Sequence, residues 1–409
     1  LKILILHRLG PQESWSENVA DLEMAFPRYA IEHDYIIHDA SFKLPSYIKN
    51  YPFDLIILNS SFLCNVFTRK RTRFTYKYFS FLSESDAFKV ALPQDDYYCS
   101  DVLDRLLIDF DINLLVTVLP QHVSQLLPLF SSSSRKIIKG YTGYLSERMI
   151  KNANKFYIER SKRDFDLVYR ASSNPSFPNK LAYLKANLGR IIEHNINKKY
   201  HVDINPPKND FLNGLDWWSF LANARVTLGS NSGSDFIIRN HNCEQYLTNK
   251  KISNEKKISY IDHEDKNKNM TALSPRNIEA AILGTTQSIV SGDYGGLFIA
   301  GEDYFELDDG LAKVDELNHF LGDYELQERL AASAKEKILD TKELRIESLI
   351  ENIMIHFREE ADDFSKSSGN FKMIKEKYQN HEKRFQKKIY QFRLFKQKIG
   401  DIKRSFSNN

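Results

Sequence analysis

Short, unbroken apolar runs recur along the chain at regular intervals, separated by stretches that are apolar at helical spacing. KILILH (Lys2 to His7), YIIHD (Tyr35 to Asp39), FDLIILN (Phe53 to Asn59), FKVALPQDD (Phe88 to Asp96) and NLLVTVLP (Asn113 to Pro120) have the length and branched-aliphatic content of strands buried on both faces. Strands that alternate with helices predict a parallel sheet covered on both sides. Ligands of such sheets sit beyond the carboxyl ends of the strands. His7, Arg8, Asn59, Ser60, Gln94, Asp95, Asp96, Gln121 and His122 all follow an apolar run, so they are expected along one rim.

The pattern turns polar near Lys155 to Asp164, and a second series begins. FDLVYRAS, LAYLKANLGRIIEHN, YHVDIN, WWSFLANA, RVTLGSNSG, SPRNIEAAILG and QSIVSG alternate strand and helix. The reading is α/β, with Rossmann-like domains over 1–155 and 156–345 and a third segment over 346–409. The two long helices before residue 360 are expected to cross back to the first domain.

The last segment differs in charge. Phe371, Tyr378, Phe385, Phe392, Ile399 and Phe406 recur at sevens. From Phe371 to Phe406 there are 12 Lys plus Arg against 3 Asp plus Glu, a net of +9, which leaves −6 for the rest of a chain whose total is +3. Three readings stand: a basic amphipathic helix on an anionic membrane, a coiled coil with a partner helix, or a helix packed on its own acidic body. Charge confined to one tail argues against nucleic-acid binding.

With 409 residues and 42% hydrophobic residues, two globular domains and an appendage are expected. The opening LKILILHRLG lacks a basic flank and a small-residue cleavage site, so it is read as a first strand and not a leader. Cys64, Cys99 and Cys243 are odd in number and far apart, which fits no disulfide framework or metal spacing. A cytoplasmic protein is expected, peripheral at the inner membrane face if the tail binds lipid.

Chemistry concentrates in SPRNIEAAILG (Ser274 to Gly284). Ser274 and Pro275 open a helix, whose unpaired N–H groups and positive dipole end suit a diphosphate. Arg276 adds a fork of donors. Glu279, one turn on, is placed to accept hydrogen bonds from two ribose hydroxyls. The same residues also read as an ordinary capped helix. Ser230, Ser232 and Gly233, in LGSNSGSD, form a small polar loop after a strand, through which the backbone can approach a phosphate or sugar; a plain loop is the alternative.

Four segments in order, RDFDLVYRAS…KLAYLKANLGRI, DWWSFLANARVTLGSNSGSD, SPRNIEAAILG and SGDYGGLFIAGEDYFEL, resemble a bacterial glycosyltransferase family of surface-polysaccharide (O-antigen or capsule) assembly. LPQDDYY followed by TVLPQH resembles its first half, and the likeness covers about residues 90 to 340. The resemblance implies a GT-B fold, two Rossmann-like domains facing across a cleft, and transfer of a sugar from a nucleotide donor to a polysaccharide or lipid-linked acceptor. The nucleotide sugar is then a substrate, and no cofactor or metal is expected. The resemblance puts Arg170 and Lys185 on the donor diphosphate, with Lys180 a rival, and Glu279 on the ribose. Retaining relatives carry an acidic residue seven before that Glu; here Ala272 stands there, which leaves the stereochemistry open.

An inverting transferase needs a base for the acceptor hydroxyl. Asp95 and His122 are the candidates, with His7, Gln94 and Asp96 as acceptor-binding residues; each also reads as a cap or a core hydrogen-bonder. No Walker loop, no G-x-G-x-x-G after the first strand, no Ser elbow and no Cys/His zinc pattern is present. A sugar-nucleotide epimerase on the same fold and a non-catalytic glycan-assembly scaffold are the alternatives.

Overall fold

The computed structural model describes residues 1–10, 15–171, 180–204, 212, 214–261, 263–266, 268–308, 313–360 and 370–384. The first apolar series builds a six-stranded sheet in the order β2-β1-β3-β4-β5-β6. Its strands are β1 (Lys2–His7), β2 (Asp34–Asp39), β3 (Leu55–Leu58), β4 (Phe88–Ala91), β5 (Leu114–Thr117) and β6 (Lys136–Lys139), all paired in parallel. Alternate residues of one strand feed different cores: Leu4 and Leu6 join one cluster, Ile3 and Ile5 the other. That two-sided burial is why the strands read as unbroken apolar runs.

The second series builds a five-stranded parallel sheet, β13-β12-β9-β7-β8. Its strands are β7 (Phe165–Tyr169), β8 (Val202–Ile204), β9 (Ala224–Gly229), β12 (Thr286–Val290) and β13 (Phe305–Leu307). Between β9 and β12 lies a short antiparallel ribbon of β10 (Ser232–Ser234) and β11 (Met270–Ala272). Both large sheets start at an interior strand, place the next strand on one side and the following ones on the other. The strand order therefore reverses between β1 and β3 and between β7 and β9, and crevices for ligands open at those points.

Three segments tie the two halves together. The helix Ile346–Glu360 returns to the first sheet, where Ile350, Ile353 and Phe357 pack with Ile3, Ile5 and Phe88. The helix Glu147–Phe156, placed before the junction at residue 155 by sequence, packs in the second core: Met149 and Ala153 meet Trp218 and Ile278. Packing thus puts the crossover one helix earlier, because the buried face of that helix matches the second domain. Finally, the chain between β10 and β11 enters the first core. Phe236, Ile238, Leu247 and Ile261 cluster with Leu63, Val66 and Leu103, and the Ile238 N–H donates to Tyr97 O at 2.8 Å.

The start of the basic tail packs on its own body. Helix 371–384 runs along edge strand β2, which would otherwise present unpaired backbone. Lys375 faces Asp34 at 3.5 Å, and the Tyr378 hydroxyl lies 2.8 Å from His38 Nδ1 and 3.2 Å from Ile37 O. Phe371 is buried edge-on to Tyr51 at 5.3 Å. Phe385, Phe392, Ile399 and Phe406 lie outside the described residues.

Candidate functional site

The crevice beyond β7 and β9 opens into the cleft between the domains. Its largest cavity, about 270 Å³, is lined by Gln94, Asp95 and Tyr97 from the first domain and by Lys185, Asn231 and Gly233 from the second. A second cavity of about 150 Å³ shares Thr142 and Ala272 with it and reaches Lys139 and Asp293. A narrow pocket of about 30 Å³ lies behind, lined by Arg170, Lys185, Ser230, Ser274, Arg276 and Gln287. Lys185 lines both the large cavity and the narrow pocket.

Local backbone explains the cavity walls. Gly233 has φ +118, and a Cβ there would lie 1.9 Å from Met270 O, so only glycine lets β10 approach β11 this closely. Across the cleft, a Cβ on Gly143 would lie 2.8 Å from Pro275 Cγ. The first-domain loop therefore presses on the helix Pro275–Leu283, and the Thr142 hydroxyl donates to Leu273 O. Pro275 serves that contact and is not in the pocket lining. Within the helix start, Asn277 Oδ1 accepts from the Ser274 N–H at 3.0 Å.

The pocket holds more positive charge than it neutralises. Arg170 forms an ion pair with Asp203 at 2.8 Å and stacks on Phe220 at 4.3 Å. Arg276 donates to Arg170 O at 2.7 Å and lies 5.0 Å over the Trp217 ring, with no carboxylate partner among the described residues. The Lys185 ammonium makes no hydrogen bond or ion pair among the described residues. Burial lowers its proton affinity, and nearby Arg276 lowers it further. Among the described residues Ser230 Oγ, Gln287 Nε2 and Arg170 Nε are buried here without partners, and Asn231 Oδ1 is likewise unpartnered beside the large cavity. Buried polar atoms are normally paired, so a cluster of unpaired ones marks space for a polar ligand.

Of the residues expected from sequence, the cavities bring together Gln94, Asp95, Arg170, Lys185, Ser230, Ser232, Gly233, Ser274 and Arg276. Lys185 is in their lining and Lys180 is not. Asp95 is open to the cleft, yet the surrounding protein raises its carboxyl above the usual range, opposed by a 2.9 Å hydrogen bond from the Tyr97 hydroxyl.

Besides Pro275, four expected residues sit elsewhere. Asp96, expected to hold acceptor, is fully buried, accepts from the Thr117 hydroxyl, and is pushed up to about 7 by burial. In the turn that follows β4, Asp95 takes the cleft side and Asp96 the buried one. His7 is buried beside Trp15 and accepts from the Leu9 N–H through Nδ1 at 3.2 Å. His122 lies 3.2 Å from Asn269 O and is outside the cavity lining, which leaves Asp95 as the candidate base.

Glu279 is the fourth, and its surroundings do not match an open ribose ligand. The residue is 1% exposed, and both carboxylate oxygens are occupied. One accepts from Asn18 Nδ2 at 2.7 Å, across the domain boundary, and the other from Trp217 Nε1 at 2.6 Å. Burial raises its carboxyl above the usual range, against the pull of those two donors. Glu279 thus fixes the indole on which Arg276 rests and ties the second domain to the first. Alanine there would leave two donors unpaired, at roughly 1–3 kcal/mol each. Glu279→Ala is expected to melt clearly below the parent protein in a thermal scan; an unchanged midpoint would reject the bracing role. Sequence reasoning missed Trp217, Asn18 and Gln287, for which no local signal exists. Lys139, which ends β6, and Thr142, in the Gly loop after it, follow an apolar run like the other rim residues, and that signal was available.

No protein-family model matches the chain, and no curated protein matches it by sequence. Solved structures do share its architecture. An alpha-glucosyltransferase in complex with UDP-glucose and DNA containing an abasic site superposes with a TM-score of 0.51 at 10% identity, over 87% of this chain and 98% of that one. Sucrose-phosphate synthase from Thermosynechococcus elongatus gives 0.50 at 10% identity, over 88% and 98%. With two parallel sheets, matched switch points and a helix returning to the first domain, the chain has the GT-B fold.

Proposed function

We propose that this protein is a glycosyltransferase that holds the diphosphate of a nucleotide sugar at Lys185, Arg276, Ser230 and the Ser274 helix start. The observation that carries this is the uncompensated charge at the β7/β9 switch point: among the described residues Lys185 and Arg276 have no carboxylate partner, and the buried Ser230 Oγ and Gln287 Nε2 beside them have no hydrogen-bond partner. A diphosphate leaving group supplies the missing negative charge and the acceptor atoms. The GT-B fold supports the reading, as does the UDP-glucose named for one superposed structure. The donor is a substrate, and no cofactor is invoked.

In this reaction the bond between the anomeric carbon and the diphosphate oxygen breaks. Lys185 and Arg276 neutralise the charge that develops on that oxygen. The acceptor hydroxyl enters from the Gln94 side, bonds to the anomeric carbon and gives its proton to Asp95. A glycan acceptor on a lipid carrier, in surface-polysaccharide assembly at the inner membrane face, suits the basic tail.

The test is a thermal-shift screen of UDP, GDP, dTDP and CMP. One of them is expected to raise the midpoint, since ligand at a hundred times its Kd stabilises by about 2.7 kcal/mol. If none does so at millimolar concentration, the donor site is misassigned. Product formation from the matching nucleotide sugar without acceptor would point to epimerisation instead.

A further inference from the structure

The helix Arg69–Phe79, on the first domain, is charged against its own stability. Its sequence, RKRTRFTYKYF, holds five cations and no acid. Three of them, Arg69, Lys70 and Arg71, fill the first turn, where the helix dipole is already positive. Arg69, Arg73 and Lys77 then stack at i, i+4 and i+8, a spacing at which like charges repel. All five are exposed, and none forms an ion pair among the described residues. Arg69 does reach Asn242, a neutral partner.

The neighbouring row of the helix, Lys70, Phe74 and Tyr78, mixes charge with half-buried rings. Lysines lie over rings across the whole face. Lys77 Nζ sits 5.3 Å from the Tyr78 ring centre, Lys49 Nζ 5.9 Å from Phe81, and Lys377 Nζ 4.2 Å from Tyr47. Phe74 packs on Tyr78 at 4.7 Å. Through Lys377 the face is continuous with helix 371–384, which leads into the remainder of the basic stretch.

We propose that this face, the Arg69–Phe79 helix flanked by Lys49, Phe81 and helix 371–384, docks the protein on an anionic lipid surface. Lysine and arginine stems beside Tyr and Phe rings suit the headgroup zone, where rings sit at the boundary and cations meet phosphates. Single-stranded nucleic acid asks for bare ring faces on which bases stack. Here the Tyr47, Tyr78 and Phe81 rings carry lysine ammonium groups instead. The rest of the chain outside the tail is net negative, so the attraction is local to this face and its tail. The proposal is independent of the donor site.

Vesicle flotation of the full chain tests it. Binding is expected to phosphatidylcholine vesicles containing phosphatidylglycerol and not to pure phosphatidylcholine, and to fade as salt shortens the Debye length toward about 3 Å at 1 M. Each cation at such a surface is worth about fivefold, the equivalent of about 1 kcal/mol. The triple variant Lys70→Gln/Arg73→Gln/Lys77→Gln is therefore expected to partition about a hundredfold more weakly while melting no lower, because internal repulsion is removed. If that variant melts lower, Arg73→Gln alone gives the same reading with about a fivefold loss. Equal binding of variant and parent overturns the proposal, and so does equal binding to neutral vesicles. Binding to a DNA or RNA oligonucleotide with none to vesicles overturns it in favour of nucleic acid. Nucleotide-induced thermal shifts should be the same in parent and variant, so failure of this proposal and failure of the donor site are distinguishable.

Discussion

Lys185→Met is expected to lower kcat/KM for the nucleotide sugar by two to three orders of magnitude and to leave the free protein no less stable. The two halves of this expectation have one cause. Within the fold Lys185 is a partly buried cation with no partner among the described residues, and Arg276 repels it. Burying an unpaired charge costs stability, so an apolar side chain of similar length relieves the fold. A bound diphosphate reverses the sign. Two opposite charges about 4 Å apart attract by about 4 kcal/mol at the effective dielectric of a protein surface, and losing one such donor at a developing oxyanion costs about 10²–10³ in rate. Calorimetric titration with the nucleoside diphosphate separates binding from chemistry. Weak binding with an intact or raised melting temperature is the expected pair. Full donor affinity in Lys185→Met would remove the ammonium from the site and make Arg276 the next cation to test.

Stability and function pull apart at this residue in a way that the sequence shows only in part. The strands were legible because burial on both faces leaves no polar alternation, as in LIIL of β3. The rim was legible for the same reason: residues after parallel strands point into the crevice. Which residue of a pair does so was not. Asp95 and Asp96 are equivalent on paper, and only the turn after β4 sets one toward the cleft and the other against Thr117. Glu279 looked like a ligand because its helix position fits one. Its partners in the fold, Trp217 and Asn18, lie 62 and 261 residues away, and no local pattern encodes them. Nor does apolarity say which core a segment joins, so the passage of Phe236 to Ile261 into the first domain had no signature. The heptad row in the tail gave the buried Phe371 and Tyr378 but not the strand edge they cover.

Asp95→Asn is expected to abolish most transfer while donor binding persists. Among the described residues the carboxyl is the only one in the lining of the large cavity, so it is the group able to take a proton from a hydroxyl entering beside Gln94. General base catalysis contributes roughly 10²–10⁴, and kcat should fall by that factor. The pH profile gives a second readout. The surrounding protein raises the Asp95 carboxyl by displacing water from around it, and the Tyr97 hydroxyl opposes that shift by favouring the ionised form. The base works only when ionised, so the rate rises with pH through this titration. Tyr97→Phe removes the opposing hydrogen bond, raises the carboxyl further and is expected to move the acid limb of kcat/KM to higher pH. A structural role for Tyr97 would lower activity without moving the limb. Retained kcat in Asp95→Asn, or an acid limb indifferent to Tyr97, would mean that the acceptor proton leaves by another route, as in a front-face retaining transfer where the departing phosphate takes it. With Ala272 lining the same cavity, no second carboxylate from β11 is available to replace Asp95.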